Sequence, residues 1–365
     1  MTPHALSLLL AVSCSLIAAP ALASQADNAQ TAFSQAYQHY LSALEANENV
    51  QHAAKQAYTL GAKVYGEHSD NTANLAINYA KALSGVTNED QAKRFALYNQ
   101  AQQILARNHG KTAIETVDAL FGMAHNTAKA SLADHYFRAI IAIAVQQELP
   151  KLAADMQFAA ASLLANKFIA EKYHQASSYL EQADAYYQAN LPANAVERIK
   201  VDFFVASFAE GRKQYNEAIS RLNHVVSVFD NNLNFDHSAE LSAHSKLIHL
   251  YEKQGNSEQA TKHCLAIAKM VPWKESQQQT PLYRVHPEYP NGKARQRRDG
   301  SVIMEFEVDT AGFVKNLNVL DSSGGVAFAS AAKKAVAQWR YAPKFEHGVP
   351  VPAKTQVQLD FKIGQ

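Results

Sequence analysis

The sequence predicts an α+β chain in two parts, an all-α solenoid of helical hairpins followed by a small domain of β-β-α-β order. Three observations point there. Between Pro20 and Pro150 lie 129 residues without a proline, rich in Ala, Leu, Gln and Lys. Ala176, Ala218 and Ala260 recur at intervals of 42 residues in related contexts. From Ser301 onward the apolar pattern changes to a period of two, the mark of a half-buried strand.

Composition narrows the functional classes before any motif is read. The 365 residues carry 47% apolar and 18% charged side chains with a formal charge of +1, which excludes a wholly disordered chain. The same balance excludes a strongly basic nucleic-acid binder, whose affinity would rest on neutralising phosphates. The charge is uneven, however: Pro272 to Gln365 holds 13 Lys and Arg against 9 Asp and Glu. The rest holds 21 against 24.

The first element is an export signal over residues 1–23. Ala5 to Ala19 is an apolar run, and Ala21-Leu22-Ala23 after Pro20 matches the small-x-small pattern of signal peptidase. Cleavage after Ala23 is expected. The rival reading is an uncleaved anchor, because the run with its flank approaches the roughly 17–25 residues of a spanning helix. No Lys or Arg precedes Lys55, so no positive cluster holds a cytoplasmic end in place. Cys14 lies inside the run with apolar residues after it, which argues against lipidation. Cys264 is then the lone thiol, read as a small buried packing residue.

Residues 25–272 form the helical array. Strand-type alternation is absent, and so long a proline-free stretch cannot be one helix, so hairpins must stack. The contexts Tyr173-His-Gln-Ala176, Tyr215-Asn-Glu-Ala218 and Ser257-Glu-Gln-Ala260 put a small residue where one helix crosses another. Leu180, Leu222 and Cys264 follow four residues on as packing knobs. This pattern resembles the tetratricopeptide repeat. Tyr65-Gly-Glu-His-Ser-Asp-Asn-Thr-Ala73 and Leu105-Ala-Arg-Asn-His-Gly-Lys-Thr-Ala113 share a His followed by Thr-Ala, with Thr72 and Thr112 in register. Together with Asp90-Gln-Ala92 and Tyr98 to Leu105, they look like the 42-residue units of kinesin light chains. About six units fit between Gln25 and Val271, and such arrays offer a concave surface to peptides or protein partners.

Enzymatic chemistry has no foothold. There is no GxSxG, HExxH, P-loop or GxGxxG, so no catalytic residue is expected. Of the 15 histidines, His244 and His249 are five apart, and His125 and His135 ten apart. Neither spacing aims two ring nitrogens from one helical face with a carboxylate partner, so no metal and no cofactor are expected.

Prolines return at Pro272, Pro281, Pro287 and Pro290, marking a linker over 273–290 that overlaps a domain over 281–365. In Ser301 to Asp309, Val302, Met304, Phe306 and Val308 alternate with polar neighbours, a strand with one buried face. Asp309-Thr-Ala-Gly312 is a turn, and Val314 to Leu320 returns as a second strand. Phe328, Ala332, Ala335, Val336 and Trp339 make one apolar helical stripe that Pro343 stops. Thr355, Val357, Leu359, Phe361 and Ile363 alternate as a third strand.

Within this stretch the order Tyr289-Pro290, Gly300, Phe306, Asp309-Thr-Ala-Gly312, Ser322-Ser323-Gly324, Trp339-Arg340-Tyr341-Ala342-Pro343 and Val357 to Phe361 resembles the C-terminal domain of the TonB family. That resemblance implies a periplasmic protein that grips the TonB box, an extended segment of TonB-dependent outer-membrane transporters, by strand addition. The edge strand would be Lys354 to Ile363, with Gln356, Gln358 and Asp360 on its polar side. Arg284, His286 and Tyr289 fall in the segment that also touches the box, and Arg297 is a basic position suited to acidic transporter residues. Trp339, Tyr341, Phe306 and Phe361 are read as core, and Arg295, Arg297 and Arg298 also fit a plain solvated basic run. Further TonB or ExbB–ExbD components, and a second copy through the C-terminal domain, complete the expected partners.

The chain departs from the family in carrying no Ser and His pair in its leader, where His4 stands alone. It has the repeat array in place of an extended spacer, and His286 where the family often has Gln. These departures speak against direct coupling to the proton gradient. The expected function is support of energised uptake of siderophore, metal or vitamin type, with the array docking a partner. The alternatives are a cell-envelope scaffold unconnected to uptake and, for location, an inner-membrane anchor with the bulk in the periplasm.

Overall fold

The computed structural model of the chain describes residues 20–232, 237–271, 273 and 279–363. The leader and Cys14 fall on residues 1–19, outside the described residues. Ala21 to Ala23, read as the end of the leader, belong to the first helix. No described helix is long and apolar enough to cross a membrane. The chain divides into two compact units at Tyr179 and Leu180.

The first unit is built of helices of which the first six pack each on the next. They are α1 (Pro20–Ala46), α2 (Val50–Tyr65), α3 (Asp70–Ala82), α4 (Asn88–His109), α5 (Val117–Asn126), α6 (Ala130–Gln146) and the first part of α7 (Pro150–Asn190). Helix α7 is interrupted, its backbone leaving helical geometry at Phe168 and Lys172. Local chemistry sets the starts. Ser69 accepts from the Thr72 amide at the head of α3, and Thr87 and Asp90 form a reciprocal capping box at the head of α4. Small residues let helices approach: a Cβ on Gly122 would stand 2.3 Å from the Tyr98 ring.

The loop motif keeps its place in the structure but not its register. Thr72 is fully buried and donates through Oγ1 to the Gly66 carbonyl at 2.7 Å. Its counterpart is not Thr112, which is exposed, but Thr116, fully buried and donating to the Ala113 carbonyl at 2.7 Å. Gly66 and Gly110 end α2 and α4 at φ 85° and 103°, and counting from these glycines aligns Thr72 with Thr116. Successive loops are tied together by Asn108, which donates to the His68 carbonyl, and by His109 against Asp70 at 2.6 Å.

Deeper in this unit, Asp134 is fully buried and accepts from Arg138, Tyr179 and Lys172 at 2.5, 2.9 and 3.3 Å. Burial alone would raise its pKa, but these donors outweigh it and leave the carboxyl below its usual value.

The second unit continues with α8 (Val196–Gly211), α9 (Tyr215–Asn232), α10 (Ser238–Lys253) and α11 (Ser257–Met270). Ala176, Ala218 and Ala260 are all fully buried, as the 42-residue repeat requires. Leu180, Leu222 and Cys264 are buried beside them.

The unit ends in the strand-containing domain. A short helix, α12 (Asn291–Arg295), precedes β1 (Gly300–Val308) and β2 (Val314–Ser323), and α13 (Val326–Val336) follows. The last elements are β3 (Lys344–Glu346), β4 (Val349–Val351) and β5 (Ala353–Phe361). The sheet order is β2-β1-β5, antiparallel throughout. One face is buried: Val302, Met304, Phe306 and Val308 of β1 meet Phe328, Ala332 and Val336 of α13.

Two expectations for this domain need correction. The helix ends at Val336, not at Pro343, so Trp339 lies beyond it rather than on its stripe. Trp339 is buried all the same, because its Nε1–H donates to the Val285 carbonyl at 2.8 Å. The domain also holds an extra hairpin, β3–β4, beyond the β-β-α-β order. Its two-residue turn, His347-Gly348, takes φ 52° and 79°, the positive values that a tight hairpin demands.

Candidate functional site

The site begins with a strand that has a partner on one side only. Strand β5 pairs with β1 from Gly300↔Phe361 to Val308↔Ala353 and is terminal in the sheet order. Among the described residues no strand lies along its outer margin, so a row of backbone N–H and C=O groups is open there. The alternation of β5 is strict. Leu359 and Phe361 are buried under α13, whereas Lys354, Gln356, Gln358 and Asp360 are exposed on the other face.

The exposed side chains make polar contacts with β1 and with one another. Gln356 Nε2 reaches Glu305 Oε1 of β1 at 3.5 Å, and Lys354 stands 3.9 Å from the same carboxylate. Gln358 donates to Asp360 at 3.0 Å. An added strand would meet these groups as cross-strand neighbours, while its backbone meets the margin itself.

The other predicted site residues fall in two places. Tyr289 and Arg297 lie at the end of β5, near Phe361. Tyr289 is half-buried, edge-on to Phe328 and Phe361 at 5.5 and 5.9 Å, and its hydroxyl donates to the Arg298 carbonyl at 2.7 Å. Arg297 is exposed at φ 48° on the turn that leads into β1, and Asp299 on that turn accepts from the Ile363 amide at 3.2 Å. Arg284 and His286 lie on the extended segment before Tyr289, where outward residues alternate with the inward Val285, Pro287 and Tyr289. The contact that places Arg284 is with Trp339, whose ring lies 4.9 Å beneath its guanidinium. Gln356, Gln358 and Asp360 are thus assembled on one strand, with Tyr289 and Arg297 at its end and Arg284 held beside Trp339.

The signature residues are structural. Phe306, Trp339, Tyr341 and Phe361 are buried in one cluster. Gly300 has Phe328 against its α-carbon, where a Cβ would stand 2.5 Å from the ring. Gly312 sits at φ 87°, and a Cβ there would stand 2.3 Å from the Tyr341 carbonyl oxygen. Asp309 shapes this turn by accepting from the Ala311 and Phe313 amides, both at 2.9 Å. Pro343 follows Tyr341 on the way to β3.

Sequence reasoning missed the anchorage of this domain. The stretch read as linker is bound from Leu282 onward: Leu282 and Tyr283 donate to the Arg340 carbonyl at 2.7 and 3.3 Å, and the Arg340 amide donates back to Tyr283. Leu282, Tyr283 and Ala342 pack on Ile248, Ala260, Cys264 and Ile267 of α10 and α11. The Cys264 thiol is pushed up to about 12 by burial, which leaves it an inert packing residue. Arg340 enters the same helix pair through Glu252 and Thr261. The run of alternating residues from Leu282 to Tyr289 was the available signal, masked by its prolines.

Fold and margins define a small α+β module with one covered face and, among the described residues, no further strand beyond β5. Residues 285–363 match the family Gram-negative bacterial TonB protein C-terminal, and this part of the chain is a TonB C-terminal domain. The curated Protein TonB of Vibrio cholerae serotype O1 is 31% identical over 80 residues, 22% of this chain. That match spans 33% of the Vibrio protein's own length. Among solved structures, a Podosopora anserina chain of kinesin light chain type with nearly identical TPR-like repeats is 17% identical. It covers 57% of this chain and 95% of its own, with a TM-score of 0.44. BtubC (BKLC) from P. vanneervenii is 11% identical, covering 69% of this chain and 91% of its own at a TM-score of 0.38.

Proposed function

We propose that this chain is a non-enzymatic TonB-like docking protein of the periplasm that takes the TonB box of an outer-membrane transporter as an added strand along β5. The helical array docks a second protein, and the pair supports energised uptake by tethering or force relay without a covalent step. The observation that carries this reading is the terminal position of β5, whose outer margin has no strand among the described residues. The polar face of Gln356, Gln358 and Asp360 suits a peptide neighbour, and the anchorage of the domain on α10 and α11 suits transmission of force.

The test uses the full chain and a fluorescent TonB-box peptide. Strand addition uses the peptide's backbone amides at every second residue, so N-methylation along the peptide should weaken binding with a period of two. A proline at Gln358 or at the adjacent Val357 should block docking at whichever of the two turns its N–H outward. The other proline should lower the melting temperature instead. Uniform tolerance of N-methylation, with native melting and unchanged affinity in both proline variants, would falsify the reading. Deletion in the cell separates uptake from scaffolding: normal growth on iron chelates with altered envelope integrity would favour the scaffold.

A further inference from the structure

The first unit carries a cavity of about 730 Å³ that the edge-strand reading does not use. It opens between the α1–α2 connection and the end of α3. Its volume lies within the roughly 300–1,000 Å³ range of ligand sites. Three ammonium groups border it, from Lys55 on α2, Lys81 on α3 and Lys93 on α4, and no carboxylate does. This is not a by-product of a basic unit: residues 20–179 hold 12 Lys and Arg against 13 Asp and Glu. Glu89 and Asp90, on the turn before Lys93, act on it from outside the lining, and the lysines converge here.

The three lysines are not equally engaged. Lys81 pairs with Asp118 at 3.1 Å. Lys93 stands 5.4 Å from the centre of the Tyr79 ring, and neither it nor Lys55 has a carboxylate within ion-pair distance among the described residues. Beside them the wall is apolar. Tyr40 and Tyr79 are buried beneath, and Leu44 is 47% exposed at the rim. Asn49 also borders the cavity and makes no cap bond to α2, so its amide is available to a ligand.

From this we infer that the cavity is a docking site for an acidic, extended segment of a protein partner, with carboxylates at Lys55 and Lys93 and an apolar side chain against Leu44. Charge complementarity selects the anion. The exposed leucine, the aromatic floor and the side-chain amides select a peptide over a bare phosphate, which would use neither apolar wall. This inference deepens the docking role proposed for the array and rests on it, but it is independent of strand addition at β5.

The test titrates the full chain with a labelled Asp/Glu-rich peptide carrying one leucine, and with its Asn/Gln counterpart. The acidic peptide should bind at least about tenfold more tightly, with an affinity that falls as salt rises. Lys55→Glu and Lys93→Glu should each weaken it several-fold. Lys63→Glu and Lys111→Glu, exposed elsewhere on the same unit, should leave it unchanged. Lys55→Gln and melting curves guard against a folding defect, and the TonB-box affinity of each variant should stay at the parent value. Equal binding of both peptides would overturn the cavity chemistry while leaving a docking array. Absence of binding by either would remove the array reading as well. Binding of pyrophosphate without the acidic peptide would make this a phosphate site and sink the inference.

Discussion

Arg340, at the exit from α13, donates through Nη1 to the Glu252 carboxylate on α10, and its own side chain is only 1% exposed. Nη2 donates to Thr261 Oγ1 at 2.7 Å and to the Ala311 carbonyl at 2.8 Å, and the guanidinium lies 3.7 Å above the Phe313 ring. One side chain therefore joins the last helical hairpin, the β1–β2 turn and the Trp-Arg-Tyr segment. Removing one partner of a buried pair leaves the other charge uncompensated, at a cost of about 3–5 kcal/mol. Glu252→Ala should destabilise the second unit by about that amount in urea unfolding. Arg340→Met with Glu252→Leu should recover much of the loss, because both charges then leave together.

His244 and His263 bring their Nδ1 atoms to 2.8 Å, with His263 stacked on Tyr251 at 5.6 Å. One ring must donate and the other accept, so the two cannot both be charged. Burial first, and then His244 and Lys262, hold His263 down to about 4; burial also lowers His244, against the pull of Asp230. Glu240 stands 3.9 Å from His244 Nε2. The unfolded chain protonates His263 from about pH 6.5, the folded one only near pH 4. Stability should therefore be full above about pH 6.5 and fall as the pH drops toward 4. His263→Gln should flatten that slope in urea midpoints compared at pH 7.5 and 5. Burial-lowered His125 and His249 retain part of it.

Gly312 and Gly66 share a positive φ, 87° and 85°, but differ in their surroundings. At Gly312 a Cβ would collide with the Tyr341 carbonyl, whereas at Gly66 nothing lies within 4 Å. With ψ 150° as well, Gly66 lies where almost only glycine goes, so Gly66→Ala should cost about 2 kcal/mol in backbone strain alone. Gly312→Ala adds overpacking and should cost about 3 kcal/mol. Thermal unfolding of the two variants checks the difference.

Trp339→Phe keeps most of the buried ring but removes the donor to Val285. Val285 is half-buried, so loss of this bond should cost about 1 kcal/mol. The loss should concentrate in the segment from Leu282 to Tyr289, read as faster amide exchange there, while the β1–β5 amides keep their protection. Uniform loss across the sheet would mean that the bond holds no particular segment.

How much of this was legible in advance depends on the range of the interactions. Strands β1 and β5 were visible because alternation is a local consequence of a half-buried sheet, and Val302 to Val308 shows it plainly. The 42-residue repeat of Ala176, Ala218 and Ala260 was visible because helix crossings tolerate only small residues. The β3–β4 hairpin was missed since three residues a side show no periodicity, although His347-Gly348 is a fair turn signal. Trp339 misled because a buried aromatic three residues past Val336 fits the helical stripe as well as it fits a loop folded inward. Thr112 was chosen over Thr116 because identity of neighbours, not burial, was all that could be compared.

The amino-acid order alone fixed two things here: a helical array followed by a small sheet, and the polar face of Gln356, Gln358 and Asp360. Both follow from short-range periodicity, which a chain displays wherever one side of an element is buried. Only the tertiary structure decided that β5 is an outermost strand, that Arg340 reaches Glu252, and that Lys55, Lys81 and Lys93 share one cavity. Those relationships join residues tens of positions apart, and packing in three dimensions, not spacing along the chain, brings them together.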